Sequence, residues 1–261
     1  MDMTAQAQAF AALHKPGDPL LLPNAWDVGS AFAIVAAGAP AIATTSSGVA
    51  WSLGLRDGSR AGGLDAETVA AVIARIVSVV DVPVSADIEA GYADVAHTVA
   101  AVAAAGAVGI NLEDRAGPGV LYDPADQADR IAAARAAGPE VWINARTDVF
   151  LGGSADLAEA LDRAAAYAAA GADSLFVPGL VDLSALAELV AGPLPVAVMV
   201  WPGAPSVPDL AAVGVVRISL GSAIAQAAYA VAARATTELL TAGTYDTSAG
   251  GIAYDTMNAP R

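Results

Sequence analysis

Acidic residues crowd into two short segments of the sequence. Asp87 and Glu89 follow one apolar run, and Glu113 follows the next apolar run along the chain. If both runs are neighbouring parallel strands, about 5 Å apart, the three carboxylates converge at one edge of the sheet. Such acids raise one another's pKa values unless a cation lies among them, and Mg²⁺ prefers oxygen ligands. The pattern predicts a magnesium site, with Mn²⁺ as the alternative ion; helix capping by an acid is the competing interpretation.

Two further segments have the chemistry of an anion-binding site. Arg146 ends a third apolar run, and its planar guanidinium matches a carboxylate or phosphate; a salt bridge to a nearby acid is the competing role. Ser46, Ser47 and Gly48 offer hydroxyl and backbone N–H groups to a second anionic group. Together these residues predict a small anionic substrate.

The composition excludes several other chemistries. The 261 residues include no cysteine, one lysine (Lys15) and two histidines (His14 and His97), which argues against Schiff-base, thiol, zinc and Ser-His-Asp mechanisms. The formal net charge of −15 leaves no basic footprint for nucleic acid. No apolar run reaches the roughly 18 residues of a membrane span, and the N-terminus does not resemble a signal peptide. We therefore expect a cytoplasmic protein that contacts neither membranes nor nucleic acid.

Eight apolar runs alternate with alanine-rich stretches along the chain, which predicts a single-domain (β/α)8 barrel of the TIM type. We expect residues 1–19 to form an N-terminal segment with a helix over 4–13. Residues 20–242 form the barrel, and residues 243–261 form a tail without regular secondary structure. A doubly wound open sheet is the alternative. The predicted strands are 20–22, 41–44, 83–86, 109–112, 141–145, 174–177, 196–199 and 215–218. The predicted helices are 28–37, 65–80, 95–105, 125–137, 155–170, 183–190, 207–212 and 222–242.

Single residues mark the predicted helix ends. A glycine follows each of four helices, where a left-handed cap is expected, at Gly38, Gly106, Gly171 and Gly214. Capping side chains are expected at five helix starts, at Asp65, Asp94, Ser154, Asp182 and Ser206.

Several of these stretches, in chain order, resemble the isocitrate lyase/phosphoenolpyruvate mutase superfamily. They are Leu-Pro-Asn-Ala-Trp-Asp at 22–27, Thr-Thr-Ser-Ser-Gly at 44–48, Leu-Gly-Leu-Arg-Asp at 53–57, Ser-Ala-Asp-Ile-Glu-Ala-Gly-Tyr at 85–92, Gly-Ile-Asn-Leu-Glu-Asp at 109–114 and Asn-Ala-Arg-Thr-Asp at 144–148. Members of that superfamily bind magnesium through a D-x-D pair and a later glutamate. They cleave or form C–C or P–C bonds beside a 2-oxo acid.

The resemblance implies a role for each site residue. Asp87 would be the direct magnesium ligand, and Glu89 and Glu113 would act through metal-bound waters. Asp57 would lie near those waters and the substrate as a catalytic residue, together with Arg146, which would bind a substrate carboxylate. Residues 46–48 (Ser46, Ser47 and Gly48) would hold the other anionic end of the substrate.

The sequence departs from the superfamily pattern at two places. Position 89 carries a glutamate where the superfamily has the second aspartate of the D-x-D pair. The loop 115–123 has neither the cysteine of the lyases nor the lysine of the mutases. We therefore expect a magnesium-dependent C–C lyase for a small 2-oxo or 2-hydroxy di- or tricarboxylate, resembling an oxaloacetate decarboxylase more than a methylisocitrate or isocitrate lyase. The alternatives are a phosphonopyruvate hydrolase or phosphoenolpyruvate mutase-like P–C enzyme, and a 2-oxo acid binding protein.

The last predicted helix is apolar on more than one face, with few charges before Arg234. A helix that is apolar all round is normally buried. The superfamily it resembles forms tetramers in which the last helix packs on a neighbouring subunit. We expect a homo-oligomer, a tetramer or else a dimer.

Overall fold

The computed structural model of the protein describes residues 3–58, 62–152 and 155–258. Within them the strands are β1 (Leu20–Leu22), β2 (Asn24–Ala25), β3 (Ile42–Thr44), β4 (Val84–Asp87), β5 (Gly109–Glu113), β6 (Arg115–Gly117), β7 (Val120–Leu121), β8 (Trp142–Arg146), β9 (Ser174–Phe176), β10 (Val196–Met199) and β11 (Arg217–Ser219). The helices are α1 (Met3–Ala12), α2 (Val28–Ala36), α3 (Ser46–Ser52), α4 (Ala66–Val77), α5 (Val95–Ala104), α6 (Pro124–Ala137), α7 (Leu157–Ala169), α8 (Leu183–Val190), α9 (Val207–Val213), α10 (Ala223–Ala242) and α11 (Tyr254–Met257).

The parallel strands form a barrel that is nearly closed. In the described part of the chain one sheet runs in the order β1-β11-β10-β9-β8-β5-β4-β3-β2. Its two end strands, β1 and β2, are separated only by Pro23, so they are two halves of the first barrel strand. β1 pairs with β11 on one side and β2 pairs with β3 on the other. This topology confirms the predicted eight-position α/β barrel and rules out the open doubly wound sheet.

The strands carry apolar side chains toward both the barrel interior and the surrounding helices, because each strand is covered on both faces. Ile42, Ile110 and Ile143, on three different strands, are fully buried. The predicted glycine caps are confirmed. Four glycines have positive φ, at Gly38 (98°), Gly106 (102°), Gly171 (98°) and Gly214 (103°).

The predicted N-caps are also confirmed where the chain is described. The side chains of Asp65, Asp94, Asp182 and Ser206 each accept a hydrogen bond from a backbone N–H in the first turn of their helix. Ser154 lies outside the described residues, and the side chain that caps α7 is that of Asp156.

Three local elements differ from the sequence-based expectation. Residues 46–52, which no predicted helix includes, form the short helix α3, and residues 115–121, expected as a loop, form the β6–β7 hairpin around Pro118 and Gly119. The tail is not entirely coil, since it contains a 3₁₀ turn (Asp246–Ser248) and α11. Each of these helices and strands is too short for hydrophobic periodicity to reveal it.

The strand register brings the acidic positions together at the C-terminal end of the barrel. β4, β5 and β8 are neighbours in the sheet. Asp87 pairs with Asn111, and Glu113 pairs directly with Arg146. No helix in the described ranges is long and apolar enough to cross a membrane.

Candidate active site

Four carboxylates form an acidic cluster at the C-terminal end of the barrel. They belong to Asp57, Asp87, Glu89 and Glu113. Burial, followed by the charges of Asp87, Asp57 and Glu113, raises the pKa of Glu89 to about 8. Burial raises the pKa of Glu113 to about 7, although Arg146 opposes the change. Asp57, distant in sequence, reaches the cluster through its carboxyl group: loss of solvent raises the pKa of this group, and a hydrogen bond with the Ser46 side chain opposes the rise.

Asp87 is held in place from two sides. Its Oδ2 accepts a hydrogen bond from the backbone N–H of Ser46 at 3.2 Å, and its Oδ1 accepts one from that of Glu89 at 3.3 Å. Its own N–H donates to Thr44 Oγ1 at 2.9 Å. The side chain therefore contacts the first turn of α3, but it does not cap the helix that follows β4, because Asp94 is the N-cap of α5. Each carboxylate oxygen of Asp87 has further lone pairs, so these contacts leave capacity for a cation.

Arg146 lies between two acids. Its Nη1 is 3.0 Å from Glu113 Oε2, while Nε and Nη2 donate to Asp148 Oδ1 and Oδ2 at 2.6 and 2.9 Å. Burial lowers the pKa of Arg146, but Glu113 and Asp148 raise it more, so the guanidinium stays charged. The competing role, a salt bridge to a barrel acid, is thus present. A guanidinium has five N–H donors, and these three contacts leave two for a ligand. Substrate binding by Arg146 remains a prediction.

A second set of polar side chains, which the sequence did not reveal, supports the partner of Arg146. It consists of Asp114, Arg163 and Tyr167. The side chain of Asp114 is fully buried; its Oδ1 accepts from the Asp148 N–H at 2.9 Å. Its Oδ2 accepts from Tyr167 at 2.8 Å and from Arg163 Nη1 at 3.2 Å. Asp114 thereby fixes the backbone that carries the bidentate partner of Arg146. Only the four-residue spacing of Arg163 and Tyr167 on one helix face hinted at this set of side chains.

The predicted anion turn at 46–48 is the first turn of α3. The Ser46 N–H is already occupied by Asp87, and Ser47 Oγ lies 3.2 Å from Thr45 Oγ1. A Cβ at Gly48 would lie 2.8 Å from Trp26 Cβ, so this glycine is needed for packing. Anion binding by Ser46, Ser47 and Gly48 remains a prediction.

The β6–β7 hairpin stands beside the acidic cluster. The charge of Arg115 lowers the pKa values of both Asp57 and Glu113. The hairpin base is fixed, because the Tyr122 N–H donates to the Asp114 carbonyl at 2.7 Å and Arg163 Nη1 donates to the Tyr122 carbonyl at 2.9 Å. The hairpin supplies neither cysteine nor lysine, and Lys15 precedes the first barrel strand at the opposite end.

The acidic cluster suits a hard divalent cation that keeps most of its water. Its donors are oxygens, and burial, together with the charges of neighbouring acids, raises the pKa values of Glu89 and Glu113; a nearby cation would favour their ionised forms. Across residues 3–58, 62–152 and 155–258, no three His, Asp or Glu side chains form a ready set of direct metal ligands. Magnesium needs only one or two direct carboxylates. The geometry therefore fits direct binding by Asp87 with water-mediated contacts from Glu89 and Glu113.

Three known proteins are similar to this chain. A 2-methylisocitrate lyase of Salmonella typhimurium is 35% identical over 199 residues, covering 70% of this chain and 66% of that protein. The crystal structure of a candidate lyase/mutase from Burkholderia cenocepacia superposes with a TM-score of 0.90 at 37% identity, covering 99% and 96% of the two chains. A phosphonopyruvate hydrolase, solved with oxalate and Mg²⁺, superposes with a TM-score of 0.85, covering 97% and 93%; its 24% identity shows a shared fold alone.

A family model provides the remaining comparison. The model for phosphoenolpyruvate phosphomutase matches residues 10–240, which include the whole barrel and every residue of the acidic cluster. The predicted resemblance is thus confirmed, and the chain belongs to the phosphoenolpyruvate phosphomutase family within the isocitrate lyase/phosphoenolpyruvate mutase superfamily.

Proposed function

We propose that this protein is a magnesium-dependent carbon–carbon lyase that acts on a small 2-oxo or 2-hydroxy di- or tricarboxylate through an enolate. The observation that carries the proposal is the acidic cluster, in which burial and mutual repulsion raise the pKa of Glu89 to about 8 beside a charged Arg146. Such a site attracts a cation and the carboxylate of a substrate together. The superfamily is one of lyases and mutases, which agrees with an enzymatic role.

Each residue then has a role that its position supports. Asp87 would hold the ion directly, while Glu89 and Glu113 would accept hydrogen bonds from its waters. When bound, magnesium supplies a Lewis acid for the charge that develops on the 2-oxo oxygen. The two remaining N–H groups of Arg146 bind a substrate carboxylate. Asp57, with its raised pKa, receives the proton of a 2-hydroxyl group when the substrate has one.

The composition of the hairpin favours one reaction within this class. Cleavage of methylisocitrate or isocitrate requires an acid for the departing carbanion, and general acid–base catalysis contributes roughly 10²–10⁴-fold. The β6–β7 hairpin has no cysteine or lysine for that step. Decarboxylation of oxaloacetate forms the enolate before any proton is needed, and solvent can deliver that proton afterwards. We therefore favour a decarboxylase-like reaction over tricarboxylate cleavage.

A substrate panel tests the proposal. Oxaloacetate, methylisocitrate, isocitrate and phosphonopyruvate are incubated with the protein and Mg²⁺, and pyruvate, glyoxylate, carbon dioxide and phosphate are measured. The Asp87→Asn variant is the control, since it keeps the side-chain shape and removes the charge. We expect magnesium-dependent decarboxylation that this variant lacks. Phosphate release from phosphonopyruvate would instead identify a P–C enzyme, and ligand binding without any product would identify a binding protein.

We also propose that the protein is a homo-oligomer, a tetramer or else a dimer, in which α10 packs against a neighbouring subunit. Only Ala225 of this 20-residue helix is buried in the described chain. Apolar side chains are exposed along it, with Tyr229 at 42%, Leu239 at 56% and Leu240 at 77%. Exposed apolar side chains along a helix that is otherwise unburied are typical of subunit interfaces.

A further inference from the structure

The loop between β4 and α5 is held in a strained conformation. Of the described non-glycine residues, only Glu89 (φ 49°), Tyr92 (φ 52°) and Ala155 (φ 46°) have left-handed backbone. Two of these three therefore lie in one short loop beside the acidic cluster. Non-glycine residues rarely adopt this conformation, and those that do are concentrated at ligand-binding and catalytic sites.

The loop is also firmly fixed. The Gly91 N–H donates to the Ile88 carbonyl at 2.8 Å, and Thr98 Oγ1 donates to the Gly91 carbonyl at 3.0 Å. Arg130 Nη2 donates to the Ala90 carbonyl. These contacts, made from α5 and α6, determine where the side chain of Tyr92 points.

The hydroxyl of Tyr92 is a buried polar group without a hydrogen-bond partner among the described residues. Its oxygen is inaccessible to solvent and has no hydrogen-bond partner in the described part of the chain. Burial, and then the charges of Glu89, Asp87, Asp57 and Glu113, raise the pKa of Tyr92 well above its ordinary value. The hydroxyl thus lies next to the acidic cluster as a neutral O–H donor. Buried hydroxyls are normally paired, so an unpaired one in a fixed loop needs an explanation.

We propose that the Tyr92 hydroxyl binds the substrate, by donating a hydrogen bond to an oxygen of its 2-oxo carboxylate end. This inference rests on the proposed function. The acids of the cluster would accept hydrogen bonds from the waters of a bound metal, and none of them accepts from Tyr92 in the described chain, so the acceptor for Tyr92 would come with the ligand. A rigid neutral donor needs no rearrangement when the ligand enters. Its directional hydrogen bond would orient the ligand in a site where the other interactions are between charges.

Tyr92→Phe removes only the hydroxyl and keeps the ring packing. Because the hydroxyl has no partner in the described chain, we expect an unchanged or slightly higher Tm. Tyr167→Phe is the matched control for stability: its hydroxyl donates to the buried Asp114 at 2.8 Å, so its Tm should fall. A Tm decrease for Tyr92→Phe that equals the decrease for Tyr167→Phe would show a structural partner and overturn the inference.

Oxalate, a planar dianion that resembles the enolate of a 2-oxo acid, is the binding probe. Calorimetric titration in the presence of Mg²⁺ should show that Tyr92→Phe binds oxalate about 10- to 100-fold more weakly than the unmodified protein, as for one hydrogen bond to a charged group. Affinity for Mg²⁺ alone should be unchanged. Unmodified protein that fails to bind oxalate would refute the proposed function and this inference with it. Oxalate binding that Tyr92→Phe retains within twofold would refute the role of Tyr92 alone.

Discussion

Magnesium binding to this protein should release protons. Without metal, the pKa values of Glu89 and Glu113 are about 8 and about 7, mainly because both carboxyl groups are buried. Both groups are therefore largely protonated near pH 6. A cation beside them favours the ionised forms, so each must lose its proton as the metal binds. The affinity for magnesium should consequently increase as the pH rises.

The two pKa values set the size of the effect. Each proton released changes the binding constant tenfold per pH unit, so below pH 7, where both glutamates are protonated, the gain is roughly 100-fold per unit. Between pH 7 and 8 only Glu89 is still protonated, and the gain is about tenfold. Above pH 8 the affinity should be constant.

Calorimetric titration with Mg²⁺ at pH 6, 7, 8 and 9, in buffers of different ionisation enthalpy, measures both the affinity and the number of protons released. The control is Glu89→Gln, which removes the group with the higher pKa. In this variant the gain between pH 7 and 8 should disappear, while one proton is still released below pH 7. An affinity that stays flat or falls between pH 6 and 8, with no proton release, would refute the assignment of these glutamates to the metal site.

The same structure leads to four other predictions. The metal-free protein should lose stability as the pH rises from about 4.5 to 8, because the two glutamates bind more protons when folded than when unfolded; a Tm that rises over this range in EDTA would contradict this. Asp87→Asn should weaken magnesium binding by more than about 100-fold in calorimetry, since even indirect partners cost roughly 10–100-fold; binding within tenfold would exclude Asp87 as the direct ligand. Gly48→Ala should reduce the free energy of unfolding by about 1–3 kcal/mol in urea, because the new methyl group meets Trp26, and an unchanged midpoint would show that α3 moves freely. Light scattering should give the mass of a dimer or tetramer, which Leu240→Glu reduces; a monomeric unmodified protein would end the assembly proposal.

The sequence determined the architecture and the location of the acids. Eight apolar runs separated by capped helices specify a barrel, since buried parallel strands and glycine-terminated helices are encoded by local patterns. Because the C-terminal ends of parallel strands meet at one edge, the order of the runs alone places Asp87, Glu113 and Arg146 together. The structure then pairs Glu113 with Arg146 in the register of β5 and β8.

The tertiary structure decided which partners these side chains have. Asp114 lies far from Arg163 and Tyr167 in sequence, and the three meet only because α7 packs beside α6 and against β9, close to the end of β5. Asp57 reaches the cluster through a connection without regular secondary structure, where no periodicity predicts a direction. In the sequence Tyr92 appears only as part of the 85–92 motif, which did not predict its orientation. That orientation depends on left-handed backbone angles in a loop that α5 and α6 hold in place. Local patterns fix elements and their order, whereas side-chain direction in a loop is set by distant contacts that the linear sequence does not display.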